Sequence, residues 1–255
     1  MRTIKKANNK INAAILIIGN EILSGRTQDS NVSFIANWLN NNCGIEILEV
    51  RIIPDIEKKI ILNILDLSKK FTYVFTTGGI GPTHDDITTQ SIAKAFKKKY
   101  NFNKEAYSIL ENYYGIKNFN DARKKMAKIP SGSKLIYNPS SAAPGFMIKN
   151  ILCLPGVPSI LKSMMPNLKN FLIKGKKIES TTIRLQTVES KIAAHLTKLQ
   201  KKYLKEINIG SYPFFRLGKV GVAIVLRSTS NKLIIKCKKE FIKTLKQNKI
   251  KMYRL

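Results

Sequence analysis

Residues Thr76–Thr88 read TTGGIGPTHDDIT, and this stretch decides the fold. The short apolar run Tyr73–Thr76 predicts a strand before it, and a helix is predicted after it, over about 87–99. A strand, a glycine turn and a helix in succession can cradle a phosphate, because glycines let backbone N–H groups approach an anion and a helix N-terminus favours negative charge. Glycine turns after strands also occur without any ligand, so the turn alone does not establish binding.

Two carboxylates, Asp85 and Asp86, lie within the same thirteen residues. Next to a bound phosphate, paired carboxylates suggest a bridging divalent ion, since Mg²⁺ in proteins commonly takes one or two carboxylates together with phosphate oxygens. The alternative is that one of the two side chains caps the following helix.

Carboxylates also follow the first two predicted strands. The continuous apolar run Ala13–Ile18 is typical of a buried parallel strand and leads into residues 19–25, GNEILSG, with Asp29 and Asn31 close behind. Asp55 follows the second predicted strand, Ile45–Ile53. Because parallel strands end at one edge of a sheet, and ligands bind at that edge, three strands are expected to bring carboxylates to one rim.

Strands and helices alternate through the first two-thirds of the chain, which predicts an α/β domain with a mostly parallel sheet. The further predicted helices cover 30–41, 54–68, 104–129 and 155–172, and the further predicted strands cover 134–137 and 146–154. After Gly175 the pattern predicts a small basic α+β domain, with strands at 181–187, 207–212 and 221–227 and helices at 188–203 and 232–247. The predicted organisation is a tail (1–11), an α/β domain (12–172) and a small domain (178–255).

Two Pro-Gly turns flank the predicted strand 146–154. Pro144-Gly145 precedes it, and Pro155-Gly156, with Pro158 close behind, comes after it. They are either tight turns at a sheet edge or a second wall for the ligand.

The net charge of +29, from 45 Lys+Arg and 16 Asp+Glu, is concentrated after residue 90. The chain has 37 Lys but 8 Arg, together with 36 Ile and 22 Asn, which indicates a general compositional bias more than a nucleic-acid surface. Three cysteines without metal-ligand spacing exclude a disulfide framework and a cysteine zinc site. No apolar run approaches the roughly 18 residues of a membrane helix.

The N-terminus imitates a signal peptide, with Lys5, Lys6 and Lys10 before an apolar run. The run is short, and Gly19-Asn20-Glu21 stands after it instead of a small-residue cleavage site. We therefore expect a buried strand and a cytoplasmic protein.

The segments GNEILSG, DSN, TTGGIGPTHDDIT, APG and LPGVP together resemble the molybdopterin-binding (MoaB/Mog-like) domain family. Within it they are most similar to the competence/damage-inducible protein A (CinA) group and to animal FAD synthases. The resemblance covers about residues 12–170, and the small domain is similar to the C-terminal segment of short bacterial members. It implies a three-layer α/β fold, a ligand carrying phosphate or pyrophosphate, and a homo-oligomer, either a dimer or a trimer.

The resemblance also implies roles for individual residues. Asp86, Asp55 and Glu21 are the catalytic candidates, and Asp85 and Asp86 are the metal candidates. The candidates for ligand and phosphate binding are Gly19, Ser24, Gly25, Asp29, Asn31, Thr77, Gly78, Gly79, Gly81, Pro82, Thr83, Thr88, Pro144, Gly145, Pro155, Gly156 and Pro158. The implied cofactors are Mg²⁺, Mn²⁺ or Co²⁺ with K⁺, and molybdopterin is a possible ligand.

One departure concerns residues 123–130, RKKMAKIP, where long family members carry an Asn and a Gln before an Ala-x-x-Pro stretch. Three functions stay open. The first is a metal-dependent nucleotide pyrophosphatase acting on an ADP-ribose-like or FAD-like substrate. The second is a molybdopterin binder or adenylyltransferase, and the third, which the sparse Arg and aromatic residues disfavour, is a nucleic-acid-binding module.

Overall fold

A six-stranded sheet organises the first two-thirds of the chain in the computed structural model, which describes residues 11–204, 206–216 and 218–253. Its strands are β1 (Asn12–Ile18), β2 (Glu46–Ile53), β3 (Tyr73–Thr77), β6 (Lys134–Ile136), β7 (Gly145–Ile148) and β8 (Ile151–Leu154). The strand order is β2-β1-β3-β8-β7-β6. The first four strands in this order are parallel, and the last two run antiparallel to their neighbours.

Strand β1 lies between two hydrophobic layers, one on each face of the sheet. Ala14, Leu16 and Ile18 pack into one core cluster, while the alternating residues Ala13, Ile15 and Ile17 pack into another on the opposite face. Side chains of a strand point alternately to the two faces of its sheet, so a strand buried on both faces reads as an unbroken apolar run. The three-layer α/β fold with a mostly parallel sheet is thereby confirmed.

Helices cover both faces of this sheet. The helices of this unit are α1 (Asn20–Leu23), α2 (Asn31–Cys43), α3 (Glu57–Lys70), α4 (Thr88–Ala95), α5 (Lys104–Tyr114), α6 (Asp121–Lys125) and α7 (Pro158–Met164). Their apolar residues recur at helical spacing, as with Ile35, Leu39 and Cys43 of α2. Two 3₁₀ helices (Ile116–Asn118 and Met165–Asn170) and a two-stranded pair, β4 (Tyr100–Phe102) with β5 (Lys128–Pro130), complete the unit.

The chain divides into two compact units between Gly175 and Lys176. The elements of the second unit are β9 (Glu179–Leu185), α8 (Glu189–Lys202), β10 (Asn208–Arg216), β11 (Lys219–Ser228) and α9 (Asn231–Gln247). Its antiparallel sheet has the order β10-β11-β9, and it has a hydrophobic core of its own. The small C-terminal α+β unit predicted from the sequence is confirmed. In the described ranges, no helix is both long and apolar enough to cross a membrane.

Several element boundaries differ from the prediction. The predicted helix over 104–129 is two helices followed by strand β5, because Gly115, with φ +72°, ends α5. The helix predicted to begin at Pro54 begins at Glu57, and α4 ends at Ala95 instead of Lys99. The last helix of the unit stops at Met164 and continues only as a 3₁₀ helix, where Pro166 lacks an N–H to donate.

The predicted single strand over 146–154 is in fact a hairpin, so the two Pro-Gly turns flank two strands. Lys149 adopts φ +52°, and the Asn150 side chain donates to the carbonyl oxygens of Ser68 and Phe71 at 2.9 and 3.0 Å. These contacts hold the turn against the end of α3. The sequence carries no glycine there to mark it. Most of the predicted tail, residues 1–10, lies outside the described residues.

Candidate active site

The ends of four neighbouring strands meet at one edge of the six-stranded sheet. The Asn20 N–H, after β1, donates to Asp55 Oδ2, after β2, at 2.9 Å. Gly78, after β3, lies so close to the end of β1 that a Cβ on it would be 2.1 Å from the Ile18 carbonyl oxygen. Gly156, after β8, packs against Gly78, since a Cβ on Gly156 would be 3.3 Å from Gly78 Cα. The loops after these strands therefore share one rim, as the parallel strand order predicts.

The turn after β3 is shaped by backbone that only glycine adopts easily. Gly78 and Gly79 have φ of +97° and +68°. The Gly78 N–H donates to Leu154 O at 3.2 Å, which ties the turn to β8. None of the described residues accepts a hydrogen bond from the N–H groups of Gly79, Ile80 or Gly81. Successive free N–H groups at a turn form a concave site for an anion.

Four buried polar atoms lack partners among the described residues: Thr76 Oγ1 in strand β3, and Thr77 Oγ1, Thr88 Oγ1 and Asn31 Oδ1 around this turn. The Thr88 hydroxyl lies directly behind the turn, since a Cβ on Gly79 would be 2.1 Å from it. The Asn31 amide is held in place because its Nδ2 donates to Gly156 O at 2.7 Å. Buried polar groups are almost always hydrogen-bonded, so three exceptions at one turn need an explanation, and a bound ligand or water is one.

Asp55 is the carboxylate with the most unusual surroundings at the rim. Burial raises the pKa of Asp55 above its ordinary value, and the negative charges of Glu21 and Asp85 raise it further, against the opposing hydrogen bond from Asn20. Its surroundings therefore carry excess negative charge. A cation or a proton at this place would relieve that charge.

Asp86 closes the loop that comes after the glycine turn. Its Oδ2 accepts from the Thr83 N–H at 2.8 Å and also from the Thr83 hydroxyl. A Cβ on Gly81 would lie 2.7 Å from the same oxygen, so this glycine makes room for the carboxylate. The interpretation that Asp85 or Asp86 caps the next helix is wrong, because the N-cap of α4 is Ile87 and no side chain caps it.

Asp85, by contrast, is exposed. Hydrogen bonding within its own loop lowers the pKa of Asp85, and the neighbouring His84 and Lys125 side chains lower it further. Asp85 is thus ionised at neutral pH beside the loop. Of the two adjacent carboxylates, it is the more exposed one.

Other predicted residues have local structural partners. In the loop after β1, Ser24 Oγ donates to Glu21 O, Gly25 adopts φ +74°, and Asp29 Oδ1 accepts from Val32 N at the start of α2. A Cβ on Gly145 would be 2.4 Å from Cys153 O, which explains the turn at Pro144-Gly145 by packing. The role of this turn as a ligand wall stays a prediction. Of the remaining candidates, Gly19, Pro82 and Pro155 lie in the loops at the rim, and Pro158 is the first residue of α7.

Lys125 also lies at this site, although no sequence motif predicts it there. It ends α6, and its Nζ donates to the carbonyl oxygen of Thr83, 42 residues away along the chain. The only sequence signal was its place in the segment 123–130, where the motif departs from the long family members.

A metal ion would have to share its ligands with a substrate. In the part of the chain that the structure describes, no three His, Cys, Asp or Glu side chains are placed to hold a metal ion by themselves. Carboxylates next to a turn with free N–H groups nevertheless suit Mg²⁺, which usually binds through one or two carboxylates, substrate phosphates and water.

Comparison with known proteins finds related domains over both units of the chain. Residues 14–174 match the family described as probable molybdopterin binding domain, and residues 177–254 match the middle domain of FAD synthase. A protein of Archaeoglobus fulgidus is 32% identical over 199 residues, covering 78% of this chain and 84% of its own length. A protein of Sulfolobus acidocaldarius is 31% identical over 248 residues, covering 92% and 93%.

Among solved structures, the protein CinA with unknown function from Thermoplasma acidophilum is similar, with a TM-score of 0.60 and 31% identity. The match covers 66% of this chain and 100% of that one. The resemblance stated from the motifs is confirmed. The chain belongs to the molybdopterin-binding domain family, and its second unit matches the middle domain of FAD synthase.

Proposed function

We propose that this protein is a metal-dependent nucleotide pyrophosphatase that hydrolyses the phosphoanhydride of an ADP-ribose-like or FAD-like substrate. One observation carries the proposal, namely that the unpaired N–H groups and buried hydroxyls of the turn at Gly79 share a rim with Asp55, Glu21 and Asp85. The turn offers donors to phosphate, and the carboxylates offer a base and metal ligands. A site built only to bind phosphate gains nothing from carboxylates placed beside it.

The glycine turn and its threonines would hold the phosphates. The N–H groups of Gly79, Ile80 and Gly81 are free to donate, and the unpartnered Thr77 and Thr88 hydroxyls would add further donors. Asp86 keeps the Thr83–Asp86 segment folded beside it. Donors fixed before the substrate arrives stabilise the charge that develops on phosphoryl oxygens without the cost of reorganising them during the reaction.

Asp55 is the preferred general base. Its raised pKa moves it toward neutral pH, where a base accepts a proton from water most effectively. The hydrogen bond from Asn20 N–H fixes one carboxylate oxygen and so orients the group at the rim. Glu21, whose carboxylate lies against Gly19 and close to Asp55, is the alternative base.

Asp85 would hold the divalent ion together with substrate phosphate and water. A bound Mg²⁺, Mn²⁺ or Co²⁺ would supply Lewis-acid polarisation of a phosphoryl oxygen. The excess negative charge around Asp55 and the exposed oxygens of Asp85 fit such an ion. Asp86 fits it less well than the sequence suggested, since Thr83 already donates to its Oδ2.

Product analysis tests the proposal directly. The purified protein is incubated with ADP-ribose, FAD or NAD, each with Mg²⁺, Mn²⁺ or Co²⁺ and with K⁺, and AMP release is measured. We expect AMP from one of these substrates, at least about 100-fold slower turnover by Asp55→Asn, and similar loss by Asp86→Ala, whose loop is no longer closed.

Asp66→Asn is the matched control. Asp66 is a carboxylate on α3 that pairs with Arg51 at 2.6 Å and Lys70 at 2.9 Å, and it is not among the rim carboxylates. Its substitution is expected to leave turnover unchanged. No AMP from any substrate with wild-type protein contradicts the proposal and favours pterin binding instead, for which a copurified fluorescent pterin would be the sign.

A further inference from the structure

We propose that Lys125 binds the second of two linked phosphates, so that the rim selects diphosphate ligands over monophosphates. This inference rests on the proposed function and deepens it, because it names the feature of the substrate that the site recognises. It uses a residue outside the glycine turn and outside the rim carboxylates.

Three consecutive cations end α6, and only the last of them faces the phosphate loop. Arg123 donates to Asn118 O and stacks 4.1 Å from the centre of the Tyr114 ring. Lys124 pairs with Asp121 of its own helix at 3.3 Å. Lys125 instead reaches back to Thr83, between the glycine turn and Asp86.

Within the described structure, Lys125 forms no ion pair with a carboxylate, although its charge is felt at Asp85. An ammonium group has three N–H donors, and the Thr83 carbonyl oxygen accepts only one of them. The side chain is half-buried, so its remaining donors are partly shielded but still reachable. A half-buried cation with free donors at the edge of a phosphate loop is well placed to pair with phosphate.

Two anion-favouring features therefore lie at opposite ends of one loop. The free N–H groups and hydroxyls gather around Gly79, and the ammonium group of Lys125 is held at Thr83. A single phosphate in the glycine turn would leave the free donors of Lys125 without a phosphate oxygen to bind. Two phosphates joined by an anhydride would engage both ends of the loop.

Binding measurements separate this inference from the proposed activity. Isothermal titration calorimetry with Mg²⁺ would compare α,β-methylene ADP, which cannot be hydrolysed, with AMP on wild-type protein, Lys125→Met, Lys125→Arg and the control Lys124→Met. We expect Lys125→Met to weaken the diphosphate about tenfold or more, as for loss of one charge-assisted hydrogen bond, and AMP less than about twofold. Lys125→Arg should keep most of the affinity, and Lys124→Met all of it.

Every other result overturns the inference. Equal weakening of both ligands by Lys125→Met means that the lysine only holds the loop in shape. Unchanged binding of both nucleotides by Lys125→Met means that Lys125 contacts no phosphate. In that case the proposed hydrolase activity still holds if wild-type protein releases AMP from a dinucleotide. Failure of wild-type protein to bind either nucleotide overturns the proposed function together with the inference.

Discussion

The Asp55 carboxylate, at the end of β2, is partly buried and close to Glu21 and Asp85. Because burial and like charges favour its neutral form, the pKa of Asp55 is higher in the folded protein than in the unfolded chain. A carboxyl group with a raised folded pKa supports folding below its unfolded pKa and loses that contribution as pH rises through the folded value. At neutral pH the ionised Asp55 therefore costs stability.

Asp55→Asn should consequently stabilise the protein while it abolishes turnover. The asparagine oxygen can still accept from Asn20 N–H, whereas the buried charge is gone. We expect Tm to rise by about 1–3 °C at pH 7.5 and the gain to vanish near pH 3.5, as measured by scanning calorimetry across pH.

The opposite sign is expected for Asp66→Asn. Hydrogen bonds from Lys70 and Arg51 lower the pKa of Asp66, so its contribution to stability is present above its unfolded pKa and is lost as pH falls. A drop in Tm for both variants at pH 7.5 would mean that favourable contacts stabilise the ionised Asp55. It would contradict the role of Asp55 as a base with a raised pKa.

The different roles of single residues at the rim were only partly predictable from sequence. That Asp55 and the loop after β1 meet agrees with the rule that parallel strands end at a common edge. Asp85 and Asp86 are adjacent and chemically identical. Only the folded loop shows that Asp86 accepts from Thr83 and that Asp85 is exposed to solvent. Lys125 reaches the rim from a five-residue helix, for which no local pattern could indicate a partner 42 residues away.

At the scale of elements, the ends of β1, β3 and β8 can meet because the residue between them, Gly78, has no side chain. Gly78 packs between the ends of β1 and β8 with a positive φ, so two independent requirements exclude a Cβ there. Gly132 provides a comparison, since it also has a positive φ, +82°, but lies in the turn between β5 and β6 with open space around it.

Gly78→Ala should therefore cost far more than Gly132→Ala. The left-handed backbone alone costs an alanine about 1–2 kcal/mol, and the clash with Ile18 O adds the displacement of β1. We expect Gly132→Ala to lower the free energy of unfolding by about 1 kcal/mol with binding intact, and Gly78→Ala to cost about 3 kcal/mol or more and to abolish nucleotide binding.

Urea unfolding and calorimetric titration of the two variants check this expectation. Equal costs in the two variants, or full binding by Gly78→Ala, would show that the close approach of the strands is not needed for the cradle.

Element boundaries were predicted wrongly where contacts with residues distant in sequence fix the turn. The hairpin turn at Lys149-Asn150 is fixed by hydrogen bonds to Ser68 and Phe71, which are distant in sequence, so the apolar run around it looked continuous. Strand β5 was missed because three residues are too few to establish a period. By contrast, β1 and α2 were predicted well, since their burial pattern is set by their own sequence.

At the scale of the whole molecule, each unit has its own hydrophobic core. The sheet of the first unit is covered by two core clusters, and the second unit is built around a separate one. The first unit ends at Gly175. Its N–H donates to Cys43 O at 2.7 Å, and a Cβ on Gly175 would lie 2.3 Å from Gly44 O. This contact anchors the end of the first unit on the end of α2.

A fragment ending at Gly175 should therefore fold and bind nucleotide without the second unit. Every rim residue named above lies before that point, from Gly19 to Pro158, and so do both clusters of its core. We expect residues 1–175 to unfold cooperatively and to bind α,β-methylene ADP within about threefold of the full chain, a difference of less than about 1 kcal/mol. A fragment cut at residue 170 is the control, because it lacks the Gly175 anchor and the buried Leu172 and should unfold at lower temperature. If the longer fragment folds but binds more than about tenfold more weakly, the second unit contributes to the ligand site, and the rim by itself does not account for recognition.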